Sequence, residues 1–201
     1  MAFLYTACHS AKEQQPKFDT VVNQGIYDSA STLLAHGDLV LRLGRDDVSK
    51  MFARLNVRNT QYAHCGVAIQ TSKGFYVYHV IGGAENPEGT VLAEPLSSFV
   101  AARNIEQWAI VRYHFTPSQK AMFIQTILDD YHQKISFDKD FDLATDQAMY
   151  CSEMIYKAMI KATADTGLIQ QTHTHNGKPY IAVDNLFEHK HCQTICEVVY
   201  K

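Results

Sequence analysis

No stretch of the 201-residue sequence approaches the roughly 20 consecutive apolar residues that a bilayer-spanning helix needs. Nor is there a stripe dense in lysine and arginine. With 18 basic against 21 acidic residues and a formal charge of -3, nucleic-acid binding is set aside as the main task, because neutralising phosphates takes clustered cations. Cysteine is sparse. Cys8, Cys65, Cys151, Cys192 and Cys196 are odd in number and not closely spaced, which does not describe a disulfide framework. Cys192 and Cys196 are expected on one strand, about 13 Å apart and too far to bridge, and are read as buried small side chains. Internal repeats and low-complexity tracts are also missing. What is present is 46% apolar and 19% charged residues, enough for one sizeable core and a single domain over residues 21–201.

The first 20 residues read differently. Met1 to Cys8 (MAFLYTAC) has the apolar stretch and small residues of a signal-peptide end, followed by a polar linker-like segment. Thr6-Ala7-Cys8 resembles the cleavage signal of bacterial lipoproteins, which makes Cys8 a lipidation candidate and a membrane tether, with a location in the cell envelope or periplasm. Tyr5 stands where leucine is usual and the positively charged start is missing, so a cytoplasmic tail is the alternative.

Periodicity orders the rest. Val22, Ile26, Ala30 and Leu33 recur at helical spacing up to His36-Gly37, and Asp38 to Leu43 reads as a strand. Asp46 and Asp47 open a helix with the apolar stripe Val48, Met51, Phe52 and Leu55. Ala63 to Gln70 and Phe75 to Ile81, separated by Thr71-Ser72-Lys73-Gly74, read as a hairpin. Gly82 to Gly89 is a loop, and Gln107 to Phe115 a strand whose Trp108 belongs to the core. Thr116-Pro117 starts another helix. An acidic loop, Ser136 to Asp146, leads to a helix from Tyr150 with Cys151, Ile155, Ala158, Met159 and Ala162 on one stripe. Lys178 to Leu186 is expected to be loop and Cys192 to Tyr200 a final strand.

The chemistry centres on Cys151. A free thiol has a pKa of roughly 8.5, and the positive end of a helix together with a neighbouring imidazolium favours the thiolate. Cys151 has the helix start by position, and His64, opening the first hairpin strand, is the candidate base. A third polar group normally orients such a histidine. If the hairpin turn has an even number of residues, Gly66 lies opposite His79, and His64 and His79 share one face as diagonal neighbours. An odd turn puts them on opposite faces.

Gly37-Asp38-Leu39-Val40, Ala63-His64-Cys65-Gly66-Val67 and Tyr150-Cys151-Ser152-Glu153-Met154-Ile155-Tyr156-Lys157 occur in an order that resembles circularly permuted NlpC-type papain-like cysteine hydrolases, the YiiX-like branch above all. The resemblance covers nearly everything after about residue 30 and is most specific at Tyr-Cys-Ser-Glu. It implies an α+β papain-like fold, a small antiparallel sheet packed against helices, with Cys151 as nucleophile, His64 as base and His79 as orienter. The activity it implies is cleavage of an amide in a peptide-like substrate, with peptidoglycan stem peptide as one candidate. Acyl transfer or lipid hydrolysis, as in lecithin retinol acyltransferase-like relatives, and a non-catalytic module binding cell-wall or lipid ligands are the alternatives. No metal or organic cofactor is implied. Ala63 stands where the family often has serine, His79 where glutamate is common, and Phe137 where a tyrosine is expected, which moves oxyanion binding to the Cys151 N–H or to Tyr150. Tyr62 and Tyr150 are candidate substrate-groove residues, against ordinary packing, and Glu153 a candidate amine binder, against a helix-start role.

Other clusters are discounted. Asp138, Asp140 and Asp142 lack the glycine and glutamate of a calcium loop, since Leu143 and Met149 stand there. His189 and His191 are expected on one strand face with Cys192 and Cys196 on the other, which argues against zinc. His173 and His175 lie in a polar loop without partners.

Overall fold

The computed structural model describes residues 20–174 and 177–201. Cys8 and His175 lie outside them. Among the described residues, α1 (Thr20–Ser31), α2 (Asp47–Ala53), α3 (Leu96–Phe99), α4 (Pro117–His132) and α5 (Cys151–Thr163) surround one six-stranded sheet. Its strands are β1 (Leu39–Gly44), β2 (His64–Thr71), β3 (Gly74–His79), β4 (Leu92–Pro95), β5 (Ile105–Tyr113) and, after four two-residue strands, β10 (Cys192–Val199). The short strands pair as β6 (Ser136–Phe137) with β7 (Ala148–Met149) and β8 (Thr172–His173) with β9 (Pro179–Tyr180). Strand order in the large sheet is β10-β5-β1-β2-β3-β4, with every neighbouring pair antiparallel.

The middle of the sheet is covered on both faces, and β1 is accordingly apolar nearly throughout, every residue of it buried. Leu39, Leu41, Cys65 and Val67 face α4 and α5, where Phe123, Ile127, Ile155 and Met159 complete the larger core. Val40, Ala68, Trp108 and Ile110 face the other way, toward Phe99 of α3 and Ala30 of α1. Each fully buried large aliphatic contributes about 1.5–3 kcal/mol. The α4 start is fixed by a reciprocal capping pair between Thr116 and Gln119, with Pro117 at the first helical position.

Four expectations change. The α2 stripe does not enter the core: Val48, Met51 and Leu55 are 60%, 56% and 48% exposed, and Phe52 alone of that stripe turns inward to Phe141, with ring centroids 6.1 Å apart. Lys178 to Leu186 is not all loop, since it holds β9 and a short 3-10 turn at Val183–Leu186. Cys192 and Cys196 are only partly buried, and a register shift between Thr194 and Cys196 puts them in different cores, because a bulge reverses strand parity. Finally, β10 starts after His191, so His189 is free to turn back, and its Nε2 lies 3.1 Å from the Tyr113 hydroxyl and 3.8 Å from Cys192 Sγ. No group of three or more histidine, cysteine or acidic side chains is placed to share an ion among the described residues.

Candidate active site

Two residues, Ser72 and Lys73, separate the paired ends Thr71 and Gly74 of the β2–β3 hairpin. The even turn carries the pairing back to Val67 opposite Tyr78, so Gly66 falls opposite His79 and the two histidines share a face. Gly66 is required there. A Cβ at that position would sit 2.5 Å from Val77 Cγ1 and 2.9 Å from the Tyr78 carbonyl oxygen.

His64 Nε2 lies 2.9 Å from His79 Nδ1, and His79 Nε2 lies 3.0 Å from Glu94 Oε1 on β4. Burial pushes the His79 pKa down to about 4, with the Glu94 hydrogen bond opposing it and the charges of His64 and Arg42 adding to it. Burial works against Glu94's ionisation, but its hydrogen bond from His79 and the nearby charges outweigh this and lower its pKa. A carboxylate can only accept, so His79 Nε2 carries the proton, and the neutral ring presents Nδ1 as an acceptor to His64 Nε2–H. That leaves Nδ1 of His64 for the thiol. Phe99 walls the pair, its ring centroid 4.9 Å from that of His79 and 5.7 Å from that of His64, and the Arg42 guanidinium stacks on the Phe99 ring, 4.4 Å from its centroid.

Cys151 is the first residue of α5 and meets His64 and Cys65. The Cys65 thiol donates to it, and this, together with the His64 charge, a His64 hydrogen bond and the Cys65 main chain, overcomes burial and holds the Cys151 pKa well below the usual thiol range. The fully buried Cys65 is pushed the other way, by burial first and then by its neighbour. A thiol donating to a thiolate gives these opposite signs.

Cys151 and His64 line a cleft of about 470 Å³ whose other walls are largely apolar: Val48, Phe52, Val80, Ile81, Phe137 and Phe141. Asp46 and Ser49 also reach its edge, but they bond to each other at the α2 start. Tyr150 lines the cleft with its ring while its hydroxyl accepts the Ile181 N–H at 2.8 Å. Tyr62 is turned into the core against Phe187, its hydroxyl 3.0 Å from Glu197 Oε1, and does not line the cleft. Glu153 is wholly buried: its Oε2 accepts the Tyr150 N–H at 3.2 Å and its Oε1 pairs with Lys157 at 2.9 Å. Burial raises its pKa to about 7 against the pull of Lys157. These contacts tie Glu153 to the helix start instead of the cleft. Asp138, in the acidic loop, accepts the Asp140 and Asp142 N–H groups and so shapes the loop. Glu94, Arg42 and Cys65 were not foreseen as site residues; the apolar run Val91-Leu92-Ala93 before Glu94-Pro95 was the available sign of β4.

The sequence profile of the family described as permuted papain-like amidase enzyme, YaeF/YiiX, C92 family, matches residues 33–195. The chain belongs to this family. Permuted order is visible in the fold, since the histidine strand β2 precedes the cysteine helix α5. Among solved structures, the chain is similar to one described as the metalloprotein yiiX from Escherichia coli O157:H7, with 17% identity, a TM-score of 0.65, and 82% of this chain and 97% of that chain covered. A search of curated proteins finds no match. A permuted papain-like fold is thereby established for this chain, within a family described as amidase enzymes.

Proposed function

We propose that the protein is a cysteine amidase that works through an acyl-thioester on Cys151, with His64 as base and His79 as its orienter. The observation that carries this reading is that Cys151 and His64 line the same cleft, with His79 buried behind and bonded to His64. The thiolate attacks the amide carbonyl carbon, and the oxyanion that forms is received by the Cys151 N–H, one of the helix-start N–H groups without an intrahelical acceptor. His64 Nδ1–H gives its proton to the leaving amine, the C–N bond breaks, and a thioester remains. His64 then takes a proton from water, whose oxygen attacks the thioester carbonyl. The acid departs and the thiol is restored.

The largely apolar lining of the cleft suits an apolar group on the substrate and keeps acyl-lipid chemistry as the second reading. Peptide-like amides, including peptidoglycan fragments, are the first class to test. The yiiX protein is described as a metalloprotein; here the histidines and Glu94 bond in series, without converging on one point, and do not fit a metal centre.

Iodoacetamide labelling at neutral pH provides the direct test. Cys192, whose pKa burial raises to about 11, is the internal reference. Cys151 is expected to alkylate at least tenfold faster, because a lowered pKa raises the thiolate fraction. Equal rates would refute thiolate catalysis. Mass spectrometry of products from peptidoglycan fragments and from acyl lipids then separates the two substrate readings, and conversion of neither counts against both.

A further inference from the structure

Four adjacent strands each send one side chain to the same face: Arg42 from β1, His64 from β2, His79 from β3 and Glu94 from β4. The register requires it. Arg42 pairs opposite His64 and His79 opposite Leu92, while Gly66 lies opposite His79, so each polar residue is either a partner or two residues from one. Cysteine–histidine sites usually end on a polar group that receives the far N–H of the base. Here that group is itself an imidazole. An imidazole can do this only in one tautomer, with Nδ1 bare, which a free histidine ring favours only weakly, so holding it pure takes a partner on Nε2.

We propose that Glu94 is a positioning residue of the thiol site: its carboxylate holds the proton of His79 on Nε2, which keeps His79 Nδ1 an acceptor for His64 and aims the other nitrogen of His64 at Cys151. The geometry has the parts required. Glu94 Oε1 stands 3.0 Å from His79 Nε2. Arg42 Nη1 lies 3.8 Å from the same oxygen and donates to the Phe99 carbonyl at 3.0 Å, which fixes a positive charge beside the carboxylate. Phe99 packs on both rings. With His79 protonated on Nδ1 instead, two N–H groups would face each other across the 2.9 Å gap to a protonated His64, and a buried polar contact would become a repulsion. Glu94 touches neither substrate nor thiol. It acts through His79.

The inference rests on the thiolate reading above, and the experiment separates the two. Nitrogen-15 NMR of histidine-labelled full-length protein reports directly which ring nitrogen of His79 bears the proton. The unmodified protein is expected to show a pyridine-type Nδ1 and a pyrrole-type Nε2; the reverse assignment would overturn the proposal without any variant. In Glu94→Gln, which keeps the shape but can present an amide N–H to His79, the pure tautomer is expected to be lost. The rate of Cys151 alkylation near pH 6 is expected to fall about tenfold while Cys192 is unchanged, the size expected when a charge-assisted hydrogen bond is given up. A variant that retains both the tautomer and a Cys151 pH profile within about twofold of the parent's refutes the role of Glu94. If Cys151 of the parent reacts no faster than Cys192, it is the thiolate reading that fails.

Discussion

Acid should unfold this protein in a way that singles out His79. The side chain is 1% exposed, and burial lowers its pKa from 6.5 to about 4. In the unfolded chain the same ring titrates near its ordinary value. Well above pH 6.5 neither state carries the proton; as pH falls toward 4 the unfolded state takes it up first, so stability is lost on acidification and is fully present only above the unfolded pKa. The full difference between 6.5 and about 4 corresponds to about 3.5 kcal/mol at about 1.4 kcal/mol per pH unit, and at pH 4.5 about 2.5 kcal/mol of it is already gone. Against a total of about 5–15 kcal/mol for a domain this is large. Urea unfolding at pH 7.5 and pH 4.5, on the parent and on His79→Gln, reads the effect. Glutamine keeps a donor and an acceptor but does not titrate, so the loss between the two pH values should be smaller in the variant by about 2 kcal/mol. The hydrogen bond from His79 and the nearby charges lower the pKa of Glu94 against its burial, and Asp130 and Glu153, whose pKa values burial raises to about 6 and about 7, titrate in both proteins. Equal losses, within about 0.5 kcal/mol, would refute the argument that a neutral His79 is buried here.

Two further substitutions probe the frame of the site. Gly66→Ala places a methyl against the Tyr78 carbonyl and Val77; it should cost about 1–3 kcal/mol in urea unfolding and slow Cys151 alkylation by spreading β2 from β3, and an unchanged protein would show that the close approach is not needed. Cys65→Ala removes the thiol that donates to Cys151; the pH midpoint of Cys151 alkylation should rise, and a midpoint that stays put would assign the thiolate to His64 and the helix start alone.

The sequence showed most of the framework because local signals agreed with the fold. The capping residues of α4, the β-rich runs of β2 and β3, and the two-residue turn with Gly74 at φ 106° are each self-contained. It failed where the deciding contact was distant. The apolar spacing of Val48, Met51 and Leu55 has the helical period of a buried stripe, yet α2 is only seven residues long and of that stripe only Phe52 turns inward, to Phe141 of the loop before α5, so periodicity overstated burial. Tyr62 and Glu153 carry polar tips that could serve a substrate, and nothing local says that Glu197 and Lys157 already hold them.

Glu94 is the instructive omission. Its distance from His79 along the chain is 15 residues, spanned by the loop Gly82 to Gly89, and no spacing rule crosses such a loop. The link exists only because β4 returns antiparallel to β3 with Leu92 opposite His79, and a one-residue slip would turn Glu94 to the other face. Two slips are therefore excluded together: the β2–β3 register that joins the histidines and the β3–β4 register that supplies the carboxylate. A site read as two residues and an orienter is, in space, a polar row across four strands, closed at one end by Arg42 and at the other by a carboxylate that never meets the thiol. Its properties belong to the row. Protonated His79 is costly to bury, and the neutral ring serves His64 only with Glu94 behind it, which is why the stability of this protein at low pH and the reactivity of Cys151 should respond to the same pair of side chains.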